Sequence, residues 1–235
     1  MACGVLSAPL SVKIHTMNTI MTSAHQKLRA LLAIFLIASV ALFANSAAAV
    51  DVSGLKITEK QRVGTQDLLL NGAGIRYAAA GLVRVYVAAL YLPQKRSNGS
   101  EIAALAGPKR MNLHLLRDVS SNDFSKGLLS GMRANLSLAD QQKHFDNLLR
   151  LGAIFGQTPQ VKKGDLITLD LIPGTGMLSL INGKRVGETI ADESFYYALL
   201  QIWLGPKPIE ETLKPALLGT SPANDNALNN TRDRY

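Results

Sequence analysis

The sequence is nearly without cysteine. Its one thiol, Cys3, lies at the far N-terminus, which excludes a disulfide framework, a cysteine nucleophile and a cysteine metal site from everything that follows. Histidine is almost as scarce. Beyond residue 49 only His114 and His144 remain, on different predicted elements, so a histidine metal cluster is excluded and no metal or other cofactor is expected. There is no G-x-S-x-G elbow and no P-loop, and the glycines of "NGAGIR" and "PGTGMLS" miss the G-x-G-x-x-G spacing and serve turns. Asp165 and Asp170 stand five apart on one predicted strand, hence on opposite faces, and read as surface or turn residues rather than an acid/base pair.

A basic stripe with interleaved aromatics is missing too. The formal charge of +8 drops to +5 without Lys13, Lys27 and Arg29, and the densest later pairs are only Lys162–Lys163 and Lys184–Arg185. This excludes a nucleic-acid surface and leaves a solvated one. No repeat with a period of about 20 to 50 residues is present, which excludes a solenoid.

Acidic residues are absent from the first 49 positions. What stands there is a basic region, the apolar run "ALLAIFLIASVALF" and the small residues "ANSAAA", the three parts of a secretory signal. Cleavage is expected just after Ala47 to Ala49, with initiation at Met17 or Met21 giving a leader of ordinary length. The alternatives are an uncleaved anchor and a transit peptide. Ala30–Phe43 is short for a span of about 20 residues, and Asn45 and Ser46 interrupt its extension. The expected product is periplasmic or secreted, with no stable membrane span after cleavage. It comprises a signal over 1–49, a domain over 50–219, and a disordered tail over 220–235 that is poor in apolar residues.

What is present reads as strands, helices, strands, helices. "DLLLNGAG", "LVRVYVAALYLP" and "RMNLHLLRD" are strand-like, the last alternating Met111, Leu113 and Leu115 against Asn112 and His114 as a half-buried strand does. Phe124, Leu128 and Met132, spaced by four, predict one helical face; Phe145, Leu148 and Leu149 predict the buried face of a second helix that Ser137 caps. "GDLITLDLIPGTGMLSLINGKRVGETI" predicts an antiparallel meander with a hairpin at Asn182–Gly183. "ESFYYALLQIWLG" and "PIEETLKPALLG" predict closing helices. Grouped strands and grouped helices imply an α+β fold, an antiparallel sheet with helices laid on it.

One segment combines buried-strand character with cations. In "NGAGIRYAAAGLVRVYVAALYLP", simple alternation puts Arg84, Tyr86 and Ala88 on one face and Val83, Val85, Val87 and Tyr91 on the other. A guanidinium on such a strand must reach water, a carboxylate or a ligand, because an unpaired buried charge is costly. Arg76, Arg84 and Tyr86 are therefore candidates for gripping an oxyanion, guanidinium in a charge-assisted pair and phenol through a directed hydrogen bond. The plainer reading is that the arginines snorkel to the surface and the tyrosines fill the core.

The blocks "NGAGIR", "VRVYVAALYLP", "GPKRMNLHLLRDVS", "DLIPGTGMLSLINGK" and "ALLQIWLG", in this order from about Val52 to Gly219, resemble the chalcone isomerase superfamily, and its bacterial chalcone isomerase-like branch most. The resemblance implies an open-faced β-sandwich, a large antiparallel sheet under a layer of helices with a ligand cleft between. Enzymes of that superfamily cyclise a chalcone through a catalytic arginine after a "GAG" turn, which falls on Arg76. Their threonine on the next strand falls on Tyr86, and no tyrosine stands between Tyr91 and Tyr196 to match their catalytic one. Asn135 lies in the region that holds their asparagine. The non-catalytic relatives that bind fatty acids look more like this sequence. The resemblance thus implies an exported binder of a fatty acid or similar apolar acid, held by Arg76 and Tyr86 with Arg84 assisting, in a tunnel walled by helices bearing Phe124, Leu128 and Phe145. The alternatives are an isomerase of the intramolecular lyase type, in which Arg76 and Tyr86 are the catalytic candidates, and an envelope protein with a vestigial cleft.

Overall fold

The computed structural model describes residues 49–79, 81–156 and 160–223. The predicted signal and nearly all of the predicted tail lie outside the described residues. Within them the chain runs β1 (Ala49–Val52), β2 (Leu55–Thr58), β3 (Lys60–Val63), β4 (Gln66–Ala78), β5 (Val83–Leu92), α1 (Gly99–Ala104), β6 (Lys109–Leu115) and β7 (Val119–Ser120). It continues as α2 (Ser121–Asn135), α3 (Leu138–Lys143), α4 (Phe145–Gly156), β8 (Gln160–Val161), β9 (Leu166–Ile172), β10 (Gly176–Ile181), β11 (Lys184–Ile190), α5 (Glu193–Leu204) and α6 (Leu213–Leu217). Seven strands form one antiparallel sheet in the order β11-β10-β9-β6-β5-β4-β3. The pairs β1–β2 and β7–β8 stand apart from it.

Local chemistry explains the boundaries. Asn182 and Gly183 both take positive φ, 52° and 75°, and close the β10–β11 hairpin as an Asn-Gly pair favours. Ser120 and Ser137 cap α2 and α3, each hydroxyl accepting from a backbone N–H three residues on. Gly219, at φ 65°, ends the C-terminal helix. That helix is shorter than "PIEETLKPALLG" suggests, spanning Leu213–Leu217 alone. Thr220 and Ser221, the first residues of the predicted tail, still donate backbone N–H groups to the Pro215 carbonyl.

The central strands of the sheet are buried on both faces. On one face Tyr86, Leu90, Leu113 and Leu169 pack against α2, α4 and α5 through Phe124, Leu128, Met132, Phe155, Phe195 and Trp203. On the other, Ile75, Tyr77, Val87, Ala89 and Tyr91 meet Val52 and Ile57 of the β1–β2 hairpin. Burial at this scale, at about 25 cal/mol per Å² of apolar surface, supplies the main drive to fold. Phe124, Leu128 and Met132 face inward as their spacing predicts. The second helix does not follow its prediction. α4 buries Leu151, Ile154 and Phe155, while Phe145 and Leu149 are exposed. Their i, i+3, i+4 spacing fits a helical face equally well, and the tertiary packing selects the other stripe.

β6 is also more buried than alternation implies. Asn112, on its polar side, is 1% exposed, and there a hydrogen-bonded network replaces water. Arg110 donates Nε and Nη2 to the two oxygens of Asp170, both at 2.6 Å, and Nη1 to Gln61 Oε1 at 2.8 Å. Asn112 Nδ2 donates to the same Gln61 oxygen, and Thr168 Oγ1 donates to Asn112 Oδ1. Asp170 is therefore not a surface residue but half of a bidentate buried pair. Asp165 is half-buried beside its turn, accepting from Asn182 Nδ2 and the Lys162 N–H.

The C-terminal end is tied to β4. Asn71 is a bulge residue, unopposed between the pairs Leu70–Tyr91 and Gly72–Leu90. Its Nδ2 donates to the carbonyls of Leu217 and Arg96, and its Oδ1 accepts from the Arg96 N–H. At Gly72 a Cβ would stand 2.0 Å from the Ala216 carbonyl oxygen, so only glycine lets α6 lie this close.

Candidate functional site

The second irregularity between β4 and β5 builds the site. Arg76 pairs with Tyr86 and Tyr77 with Arg84, which leaves Val85 as an extra, unopposed residue. Paired residues share a face, so Arg76 and Tyr86 both point toward the helices. Arg84 pairs with Tyr77 and points with it to the opposite face. There its Nη1 donates to Ser53 Oγ. The expectation that Arg84 assists Tyr86 is thus corrected: strict alternation assigns them one face, and the Val85 bulge shifts the phase by one residue. Tyr91 is fully buried on the opposite face, with its hydroxyl donating to the Thr58 carbonyl at 3.0 Å.

Arg76 lies with its Cζ 5.8 Å from the centre of the Tyr86 ring, a cation–π approach. Its Nε is buried and has no hydrogen-bond partner among the described residues. Tyr86 is 5% exposed, and its hydroxyl accepts from Trp203 Nε1 at 2.9 Å. Among the described residues nothing accepts the phenolic proton, so Trp203 fixes the ring and leaves the O–H free to donate. Burial pushes this phenol up from the ordinary 10.0 to about 12, with the Arg76 charge and the Trp203 bond pulling the other way. It is a neutral donor at any physiological pH.

These groups meet at a cavity of about 50 Å³ between the sheet, α2 and α5. Val85, Leu113, Phe124, Gly127, Leu128, Ile202 and Trp203 make its apolar wall, and Val119, Asp123 and Ile209 complete the lining. Asp123 serves the α2 cap, its Oδ2 accepting from the Ser120 hydroxyl at 2.7 Å. The volume suits a few waters, not an acyl chain. The arrangement offers a cation and a neutral donor to one small space, which is the chemistry that holds an oxyanion.

Of the expected site residues, Arg76 and Tyr86 come together, with Phe124 and Leu128 beside them, while Arg84 and Phe145 do not. Asn135 is committed elsewhere: its Nδ2 donates to the Gly131 and Lys207 carbonyls and its Oδ1 accepts from the Lys207 N–H. Trp203 was not expected. Its signal is that it is the sole tryptophan, on an otherwise apolar helix, where a buried indole N–H requires an acceptor. Among the described residues no cluster of side chains could hold a metal ion.

A seven-stranded antiparallel sheet, a helical layer on one face and an unpaired arginine beneath that layer define an open-faced β-sandwich of the cleft-bearing kind. The chain belongs to the chalcone isomerase-like family, whose model matches residues 49–219. The crystal structure of a fatty-acid binding protein from Arabidopsis thaliana shares the fold, with a TM-score of 0.57 at 17% identity, covering 74% of this chain and 97% of that one. No curated protein matches the sequence.

Proposed function

We propose that this protein binds a fatty acid or a similar apolar carboxylate, with Arg76 pairing with the carboxylate and Tyr86 donating its phenolic proton to it. The observation that carries this is the pair of unspent donors, the buried Arg76 Nε and the Tyr86 O–H, converging on one cavity. Arg76 is half-buried, and a ligand carboxylate would give its buried Nε the acceptor it lacks. The fatty-acid binding protein of the same fold supports the ligand class. With only about 50 Å³ open, the head group fits and the chain enters only as Phe124 and Leu128 of α2 move aside. The isomerase alternative draws on the same two residues, and the commitment of Asn135 to Gly131 of α2 and Lys207 of the α5–α6 loop favours binding over catalysis.

We also infer export. The basic, apolar and small-residue regions of the leader support it, as does a family match that begins at residue 49, beside the expected cleavage point. Among the described residues no helix is long and apolar enough to cross a membrane. N-terminal sequencing of the protein from fractionated cells is expected to begin within residues 48–50; a blocked or intact leader defeats the inference.

The binding test is native mass spectrometry of gently purified protein, with an adduct expected in the mass range of a fatty acid. Arg76→Met is expected to remove one bound acid per chain from the adduct. An equal adduct in this variant defeats the reading, and turnover of a chalcone lost on the same substitution replaces it with the isomerase.

A further inference from the structure

The helices leave large apolar side chains exposed on their outer side. With Leu151, Ile154 and Phe155 turned inward, α4 leaves Phe145 and Leu149 51% and 56% exposed, and Leu138 at the start of α3 is 78% exposed. Single exposed apolar residues are ordinary on a monomer, but these border a hollow. Two grooves of about 380 and 290 Å³ adjoin there, sharing Leu129, Arg133, Phe145 and Leu148 as walls. Small-molecule sites have volumes of this size.

The charge of the hollow is one-sided. Among the described residues Arg133 is the only ionisable one lining either groove, and no carboxylate lines them. Its guanidinium has no hydrogen-bond or ion-pair partner among the described residues, and its backbone carbonyl is held by Gln141 Nε2. We propose that this groove is a preformed site for a single-tailed anionic amphiphile, the chain lying along Leu129, Phe145 and Leu148 and the head group on Arg133. The site is distinct from the Arg76 cavity. Helix α2 forms the wall between them, with Phe124 lining the cavity, Leu129 and Arg133 lining the groove, and Leu128 lining both. The ligand class follows from the shape and charge of the groove and does not depend on what Arg76 binds.

Two other occupants fit less well. A second copy docked through this face would bury two unpaired Arg133 guanidinium groups. An anionic bilayer asks for a broad apolar edge, whereas this surface is concave, and beside it exposed Lys143 and Arg150 are offset by exposed Asp140 and Asp146.

The test is calorimetric titration of the protein with sodium laurate below its micelle concentration, and with dodecanol as the uncharged partner. Arg133→Gln is expected to weaken laurate about tenfold and to leave dodecanol within about twofold. The double variant Leu138→Ser with Phe145→Ser, both at exposed positions, is expected to weaken both ligands, and Arg76→Met to leave this site intact. A doxyl-labelled stearate is expected to broaden amide resonances of residues 126–149. Unchanged laurate affinity in the double variant overturns the proposal, as does broadening confined to residues around Arg76. So does a dimer by light scattering that the double variant dissolves, or binding seen only to phosphatidylglycerol vesicles. Failure of Arg76→Met to affect any fatty-acid binding defeats the carboxylate reading of the cavity and leaves this one standing.

Discussion

Arg76 and Arg110 lie on opposite faces of one sheet and have opposite circumstances. Arg110 spends three nitrogens on Asp170 and Gln61, at 2.6 to 2.8 Å. Arg76 lies against the face of a tyrosine and, among the described residues, keeps a buried Nε without a partner. The first is what a fold does with a charge it must bury; the second is what it does with a charge kept for something else. The difference separates an arginine tied into the fold from one with hydrogen-bonding capacity to spare, because the same strand-borne residue type sits in the same sheet under two regimes of hydrogen bonding.

The strongest way to break the comparison is to strip Arg110 of its partner. Asp170→Ala should cost about 3 to 5 kcal/mol of stability, since it leaves a cation uncompensated at a position 18% exposed. Urea denaturation measures this, and a loss below about 1 kcal/mol would mean that Arg110 is no better housed than Arg76.

Tyr86→Phe comes next, at about 1 to 3 kcal/mol, because it orphans the buried Trp203 N–H. It also changes the alkaline behaviour. The folded protein keeps the Tyr86 proton up to about 12, whereas an unfolded tyrosine loses it near 10.0. This residue's contribution is therefore whole below pH 10 and is lost as the pH rises toward 12. Urea midpoints taken from pH 9.5 to 12 should fall less steeply in Tyr86→Phe than in the parent. Burial also raises Tyr91 and Tyr196, so a slope remains in both proteins.

Gly127→Ala should stabilise by about 0.5 to 1 kcal/mol, since a Cβ there meets nothing within 4 Å and a mid-helix glycine carries an entropic cost. Thermal melting reads it out, and a loss of stability would show that the wall of the Arg76 cavity is tighter than its open space suggests. Arg76→Met should change stability least, by less than about 1 kcal/mol, having no hydrogen bond to lose. If it instead costs as much as Asp170→Ala, the contrast between the two arginines fails.

The sheet was legible in the sequence because its signals are local. Valine-rich runs, glycine turns and the Asn182–Gly183 hairpin need no tertiary information, and Arg76 and Tyr86 stood out as polar groups on apolar strands. What escaped depends on contacts far apart in the chain. The Val85 bulge that sends Arg84 away from Tyr86 is a property of two strands in register. The stripe of α4 that goes inward is chosen by its neighbours, since Phe145, Leu148 and Leu149 are periodic too. Asp170 was read as surface because its partner, Arg110, is 60 residues away.

The seam between Asn71, Gly72 and helix α6 bears on the timing of synthesis. Asn71 and Leu217 stand 146 residues apart. A ribosome adding roughly 5 to 20 residues per second therefore completes β4 on the order of ten seconds before the helix that covers it exists. Through that interval the nascent chain carries a bare glycine notch and an asparagine whose Leu217 acceptor has not been made. The domain is latched by its last turn of helix, so a chain stopped short of Leu213 should behave as an open, protease-sensitive intermediate rather than as a slightly smaller protein.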